Sequence, residues 1–250
     1  MEQSIIDGFK EYFSVKVANT EDLKRKVYNI RHQVYCEELK WEPERENRLE
    51  TDKYDSISTH LLLNHKPTGG YAGTARLVIP NGVDGAIMPF ESYCLDKVDP
   101  ELIDYAAISR TKTSEISRLA VPPDFRRRKG EQNVPFFIDD KSTSYFFTDE
   151  DRRLFPNITV GLYLGIIAVA KYYQHSHMFI VVETRLQKRL GRLGFVFKPC
   201  SQPFELNGTR ALYCMVEESF LTQLSDNLLE LYQWVEKSVH KQLKQAEKSS

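Results

Sequence analysis

The chain has few cysteines, no excess of charge of either sign, no long apolar run and no internal repeat, and each absence removes a class of protein. The four cysteines, Cys36, Cys94, Cys200 and Cys214, form neither a C-x-x-C pair nor a spacing suited to a metal. Reduced thiols in a cytoplasmic protein are therefore expected, rather than a disulfide framework or a zinc site. Lys and Arg number 34 against 35 Asp and Glu, a formal net charge of -1, which argues against wholesale nucleic-acid binding and leaves room for a local basic patch. The most apolar stretch, ITVGLYLGIIAVA from Ile158, stops at Lys171 and is too short to span a bilayer. The opening MEQSIIDGFKEYF lacks the charged-then-apolar order of a secretory signal. A soluble protein is expected, with no low-complexity segment beyond the polar tail KQAEKSS.

What is present can fill a core: 41% of the 250 residues are hydrophobic and 12% aromatic. One α/β domain with additions, residues 1–250, is expected. YFSVKVAN (12–19) alternates as a strand does, and Thr20 precedes a helix whose first turn carries Glu21 and Asp22. Leu23, Val27, Ile30 and Val34 make its apolar stripe, with Arg31 and Tyr35 on the flank of that stripe. Residues 42–53 read as loop, STHLLLNH and GYAGTARLVIP as a hairpin turning at Lys66 to Gly69, and residues 81–99 as irregular. PELIDYAA predicts a short helix, SEISRLAV (114–121) a strand ended by Pro122 and Pro123, and residues 122–156 an insertion. Ile158 to Gln174 predicts a helix apolar nearly all round, with Gly161 and Gly165 allowing close approach to a sheet. MFIVVET, FVFKP and TRALYCMVEE read as strands and RLQKRLGRLGF as a short helix ending at a glycine. From Leu221 through Leu224, Leu228, Leu231, Val235, Val239 and Leu243 one face of a long amphipathic helix is apolar. Packing on its own domain is the first reading of that face and a homodimer the second.

Among chemistry-bearing residues, Arg31, Arg76 and Arg118 stand on expected helix or strand positions and match Asp52, Asp55 and Glu115 in charge. An Arg at the edge of a core keeps its charge and needs carboxylates, so these residues are candidates for one buried network, although surface ion pairs are the commoner use of such residues. His32 and Cys36, four apart, are compatible with a cysteine nucleophile, but both lie beside the core stripe and a packed thiol is the simpler reading. The HSH at His175 and His177 has no neighbouring carboxylate or thiol spacing, so no metal is expected there and a helix end with favourable cations is.

RHQVYCEELKW (31–41), ETDKYD (50–55), GTARLV (73–78) and EISRLAV (115–121) resemble, in this order, the blocks that mark autoinducer (acyl-homoserine-lactone) synthases and the related N-acyl amino acid synthases of the Gcn5-related N-acyltransferase superfamily. The longer EISRLAVPPDFRRRKG is still more similar to the acyltransferases associated with PEP-CTERM/exosortase protein-sorting systems. The resemblance implies an α/β (α+β) fold with a strongly bent mixed sheet flanked by helices. It divides the chain into an N-terminal strand, helix and acceptor lid (1–56), central strands (57–121), the insertion (122–156), the C-terminal half of the fold (157–217) and a helical extension (218–250). By motif, Arg31, Tyr35, Trp41, Asp52, Asp55 and Arg76 would shape the acceptor pocket, and Glu115 and Arg118 would be catalytic; Tyr35 stands where autoinducer synthases usually have Phe.

The implied reaction moves an acyl group from a thioester to an amine, with a slot for pantetheine where the strand at 114–121 splays from the one at 178–184. Glu115 would take the amine proton, directly or through water, and a backbone N–H of its strand would bind the oxyanion. In a regular strand Glu115 and Arg118 face opposite ways, so a shared site requires a bulge. Many members of the superfamily cradle coenzyme A in a glycine-rich loop after this strand, whereas Pro122 to Lys129 contain no glycine. That favours an acyl carrier protein over acyl-CoA as the donor's bearer, with Arg126, Arg127, Arg128 and Lys129 facing its acidic surface; a solvated basic turn is the plainer reading of the same four residues. No tightly bound cofactor is implied. The acceptor is a small-molecule amine: an amino acid, or S-adenosylmethionine for a lactone synthase. A non-catalytic acyl- or carrier-binding protein and a Cys36-dependent thioester hydrolase are the rival classes.

Overall fold

The computed structural model describes residues 5–80, 85–125 and 149–248. Helix α1 (Ile5–Tyr12) runs directly into strand β1 (Phe13–Val17). Thr20 then caps helix α2 (Glu21–Arg31), its hydroxyl accepting the Leu23 N–H at 3.3 Å. At Arg31 the helix widens into a π-helical segment, His32–Glu38, a rare geometry that rotates the side chains beyond it relative to a continuous α-helix. After a loop come the hairpin strands β2 (Ser58–His65) and β3 (Gly70–Val78), then α3 (Pro89–Tyr93), β4 (Thr113–Ala120), α4 (Asp149–Tyr172), β5 (His177–Glu183) and α5 (Thr184–Arg192). The two-residue strands β6 (Lys198–Pro199) and β7 (Phe204–Glu205), strand β8 (Thr209–Val216), α6 (Glu217–Leu221) and α7 (Asp226–Glu247) complete the described chain.

The sheet runs β1-β2-β3-β4-β5-β8-β6, with β7 also on β8. Every pair is antiparallel except β4 with β5, so the sheet is mixed as expected. The parallel pair holds only over Thr113–Ile116 against His177–Ile180, and beyond it the strands are unpaired. On the other side of β4, Arg76 faces Ser117 while Thr74 faces Ala120, so two steps on β3 span three on β4. The surplus residue makes a bulge, with Arg118 at φ +50°. A non-glycine residue in that region costs roughly 1–3 kcal/mol and persists only where its surroundings fix it.

One helix organises the core. From Ile158 to Ala170 every residue of α4 is buried, as a segment apolar all round should be. Its glycines permit the approach: a Cβ on Gly161 would stand 2.5 Å from Phe9 of α1, and one on Gly165 would stand 2.8 Å from Leu61 of β2 and 3.1 Å from Val15 of β1. Helix α7 covers α4 and β1 rather than a partner, burying Leu231, Tyr232, Val235, Val239 and Leu243. Gln242 donates to the Val15 carbonyl and accepts from the Val17 N–H, both at 3.0 Å.

Four local expectations need correction. PELIDYAA forms a turn and a short 3-10 segment at Tyr105–Ala107, because the Asp104 carboxylate accepts the Ala107 N–H and closes a single tight turn. FVFKP contributes only Lys198–Pro199 to the sheet, while Phe195 and Phe197 before them are buried in the core cluster. The C-terminal helix is broken at Ser225, whose hydroxyl caps α7. His175 is no helix-end cation: burial beside Lys112 pushes its pKa down to about 4, so the ring is neutral. The expected irregular stretch also holds the short helix α3, which begins at Pro89, a residue suited to a first helical turn.

The packing around Gly165 gives a test. Gly165→Val drives two methyl groups into Leu61 and Val15 and is expected to cost about 1–3 kcal/mol, read as a lower urea midpoint with an unchanged slope.

Candidate active site

The loop that follows the π-helical segment is held against the sheet by a buried ion network. Arg31, wholly buried, donates through Nε to Glu50 and through Nη1 to Asp55 at 2.6 Å. Arg76 on β3 donates through Nη1 to Asp52 at 2.5 Å and to Asp55 at 2.7 Å, and through Nε to the Ser117 hydroxyl at 3.0 Å. Arg118, on the bulge, reaches Glu42 at 2.8 Å, Glu50 at 3.2 Å and Asp52 at 3.4 Å. Burial alone disfavours the charged forms of Arg31, Arg118, Asp52 and Asp55, and the pairing reverses the outcome. Asp55 is buried, yet Arg31 and Arg76 hold its pKa down to about 2. Asp52 is lowered against its own burial by Arg76, and Arg31 is raised against its own by Glu50 and Asp55.

Glu115 differs from those carboxylates. It is 3% exposed and forms no ion pair among the described residues; its Oε2 accepts the Phe90 N–H at 2.8 Å. Burial outweighs the opposing pull of that N–H and of Arg76, and pushes its pKa up to about 8. Glu115 lines a cleft of about 270 Å³ at the mouth of the β4/β5 splay. Ile116, Leu119, Tyr163, Ile180 and Val182 supply apolar wall, and Glu42, Asp52, Arg76, Arg118 and Arg210 supply charge. Two features of β4 place Glu115 and Arg118 on the same cleft: the bulge, and the loss of β5 pairing past Ile116.

An aromatic stack joins the N-terminal helix to this strand. Arg118 lies over the Tyr35 ring at 5.3 Å, Tyr35 stacks on Trp41 at 6.1 Å, and Arg210 lies over Trp41 at 4.8 Å. The Tyr35 hydroxyl, absent from the Phe of autoinducer synthases, donates to the Leu119 carbonyl at 2.7 Å and so anchors the bulge.

The structure thus brings Tyr35, Trp41, Asp52, Arg76, Glu115 and Arg118 onto one cleft, with Arg31 and Asp55 in the ion network that joins Asp52, Arg76 and Arg118. Arg126, Arg127, Arg128 and Lys129 lie outside the described residues. Sequence reasoning missed Glu50, buried between Arg31 and Arg118, although it begins the ETDKYD block and its acidic character was visible there. It also missed Glu42 and Arg210, for which no motif gave a signal. Cys36 is a packed thiol whose pKa burial pushes up to about 11, a poor nucleophile near neutral pH. Among the described residues no three His, Cys, Asp or Glu side chains converge as a metal site.

Residues 30–134 match the family model described as Acetyltransferase (GNAT) domain. Among solved structures, the CoA-dependent acyl-homoserine lactone synthase BjaI, with SAM and isopentyl-CoA, superposes with a TM-score of 0.59 at 16% identity, covering 90% of this chain and 89% of that one. The AHL synthase LasI gives 0.56 at 14%, covering 86% and 97%. FeeM, an N-acyl amino acid synthase from uncultured soil microbes, gives 0.54 at 10%, covering 85% and 94%. The comparison with curated proteins gives no match. The fold is therefore that of Gcn5-related N-acyltransferases, and the matched domain and fold are those of acyl-transferring enzymes.

The ion network sets the acid stability. Asp55 has a folded pKa near 2 against an ordinary 3.8, so its contribution is complete above about pH 4 and is lost as pH falls through 2. Glu50→Gln, which leaves Arg31 and Arg118 short of a buried counter-charge, is expected to cost about 3–5 kcal/mol in chemical denaturation at pH 7.

Proposed function

We propose that the protein transfers a fatty acyl group from the thioester of an acyl carrier protein or acyl-CoA to the amine of an amino acid or related small molecule. The observation that carries this reading is Glu115: a buried, unpaired carboxyl in a cleft that opens between two separating strands. Burial raises the Glu115 carboxyl from the ordinary carboxylate range to about 8, closer to the range in which ammonium groups titrate. Narrowing that gap makes proton transfer from the acceptor less uphill, as a general base requires.

The freed amine attacks the thioester carbonyl and forms a new C–N bond. The carbonyl oxygen takes the negative charge, which backbone N–H groups of the bulge stabilise. Collapse of the adduct breaks the C–S bond, and the departing thiolate takes a proton. Arg118 contributes positive charge at the cleft. Arg31, Asp52, Asp55 and Arg76 position the loop, and Tyr35 and Trp41 form the acceptor-side wall. The apolar wall on β4 and β5 suits an acyl chain.

Acyl-homoserine-lactone synthesis from S-adenosylmethionine is the second reading, favoured by the likeness to BjaI and LasI. The basic run Arg126–Lys129 supports a carrier protein as donor, and EISRLAVPPDFRRRKG supports the exosortase-associated subfamily within the cytoplasm. The packing of α7 on α4 and β1 leaves a homodimer without support from that helix.

The test is mass spectrometry of lipid extracts from cells making the protein, followed by assay of the purified protein. A new N-acylated small molecule that depends on intact Arg31 and Glu115 supports the reading; its absence with well-folded protein defeats it. Glu115→Gln is expected to lower kcat by about 10²–10⁴-fold while acyl-donor binding persists. With wild type, kcat/KM should rise with pH and level off above about 8, the value at which Glu115 becomes a carboxylate. Cys36→Ala should leave turnover within about twofold, since its buried thiol holds its proton at neutral pH.

A further inference from the structure

Three arginines of the site are ion-paired with carboxylates, and among the described residues a fourth is not. Arg210 is the second residue of β8, opposite Glu183 of β5, and both residues line the cleft. Among the described residues its guanidinium forms no ion pair. Nη2 makes one long bond, 3.5 Å, to the Asn207 carbonyl, and the buried Nε has no hydrogen-bond partner. One face lies on Trp41 at 4.8 Å. Burial lowers its pKa, although Tyr35 and Glu183 act in the opposite direction. A half-desolvated guanidinium with an orphaned donor is costly unless an anion completes it.

The surroundings select the anion. Glu42, Asp52, Glu115 and Glu183 line the same cleft, and the cations Arg76 and Arg118 are committed to carboxylates. A diphosphate would meet this acidic lining with, among the described residues, one guanidinium outside an ion pair to neutralise it. A single carboxylate carries less charge, and its planar pair of oxygens matches the guanidinium fork. The aromatic stack Tyr35–Trp41 lies beneath that fork, on the wall assigned above to the acceptor.

We propose that Arg210 binds the carboxylate of the acceptor, which makes the acceptor an α-amino carboxylate and the product an N-acyl amino acid. This rests on the acyl-transfer reading and narrows it. Holding the carboxylate at Arg210 anchors the acceptor in the cleft that Glu115 also lines, which restricts its orientation. A carboxylate clamped by a guanidinium is a weak nucleophile, so the product keeps it free rather than closing a ring.

The test uses binding, independent of turnover. N-dodecanoylglycine and N-dodecanoylglycinamide share the chain and the new amide and differ only in the terminal carboxylate. Calorimetry should show wild type preferring the acid by about 10-fold or more. Arg210→Gln should bring the preference within about twofold while amide affinity stays unchanged, which also reports that the variant is folded. Arg210→Met keeps the stem against Trp41 and should behave likewise. No acid preference in wild type, binding of neither compound, or an undiminished preference in either variant overturns the proposal. So does an Arg210→Gln protein that loses coenzyme A affinity and keeps the acid preference, since the residue then serves the donor. An Arg210-dependent preference without any acyl transfer leaves this assignment standing and removes the catalytic reading. Acyl transfer with Arg210→Gln indifferent to the acceptor's carboxylate does the reverse.

Discussion

Three guanidinium groups facing four carboxylates behind one loop constrain everything else in this site. Taken singly, each charge is expensive where it stands: Arg31 is wholly out of solvent, and Arg76 and Glu50 nearly so. Held together they offset one another's cost, and Asp55 serves Arg31 and Arg76 at once. Because Arg31 comes from α2, Arg76 from β3, Arg118 from β4 and the carboxylates from the loop, the network fixes these four segments relative to one another. The strained backbone at Arg118 is tolerable for the same reason, since its side chain is bonded to Glu42, Glu50 and Asp52.

That arrangement sets the ion-paired carboxylates apart from Glu115. Asp52, Asp55 and Glu50 have cations at hydrogen-bond distance. Glu115, on the same cleft, has a backbone N–H and, among the described residues, no ion partner, and burial pushes its carboxyl up to about 8 while Arg31 and Arg76 hold that of Asp55 down to about 2. One site therefore holds carboxyl groups of both kinds, set apart by their neighbours alone.

Much of the fold was legible in the sequence because its elements are amphipathic or apolar at the right period: β2 and β3, the buried α4 with its two glycines, and α7. What failed did so where another interaction overrides periodicity, as when the Asp104 cap closes one turn in place of a helix or when Phe195 and Phe197 are buried in the core outside the ladder. The shared cleft of Glu115 and Arg118 was legible only conditionally, as a bulge that strand geometry required. The partners Glu42 and Glu50 come from a loop, and Arg210 from a strand whose cleft face depends on pairing with β5, so no spacing in the chain announces them. The widening at His32 left no readable signal, although Tyr35, three residues on, bonds across to Leu119.

The short parallel pairing of β4 and β5 has a consequence for what can enter. The sheet is two antiparallel leaves, β1 to β4 and β5 with β8, β6 and β7, joined along a seam of only four residue pairs. Where the seam ends, two interior strands face each other with main-chain groups that have no partner across the gap, and such groups act as a template for a further strand. An extended chain bearing its own amides, as a pantetheine arm does, can occupy that vacancy as the missing strand. Under the proposed acyl transfer, such a donor would be met there by main-chain groups, and side-chain selectivity would be left to the acyl and acceptor ends.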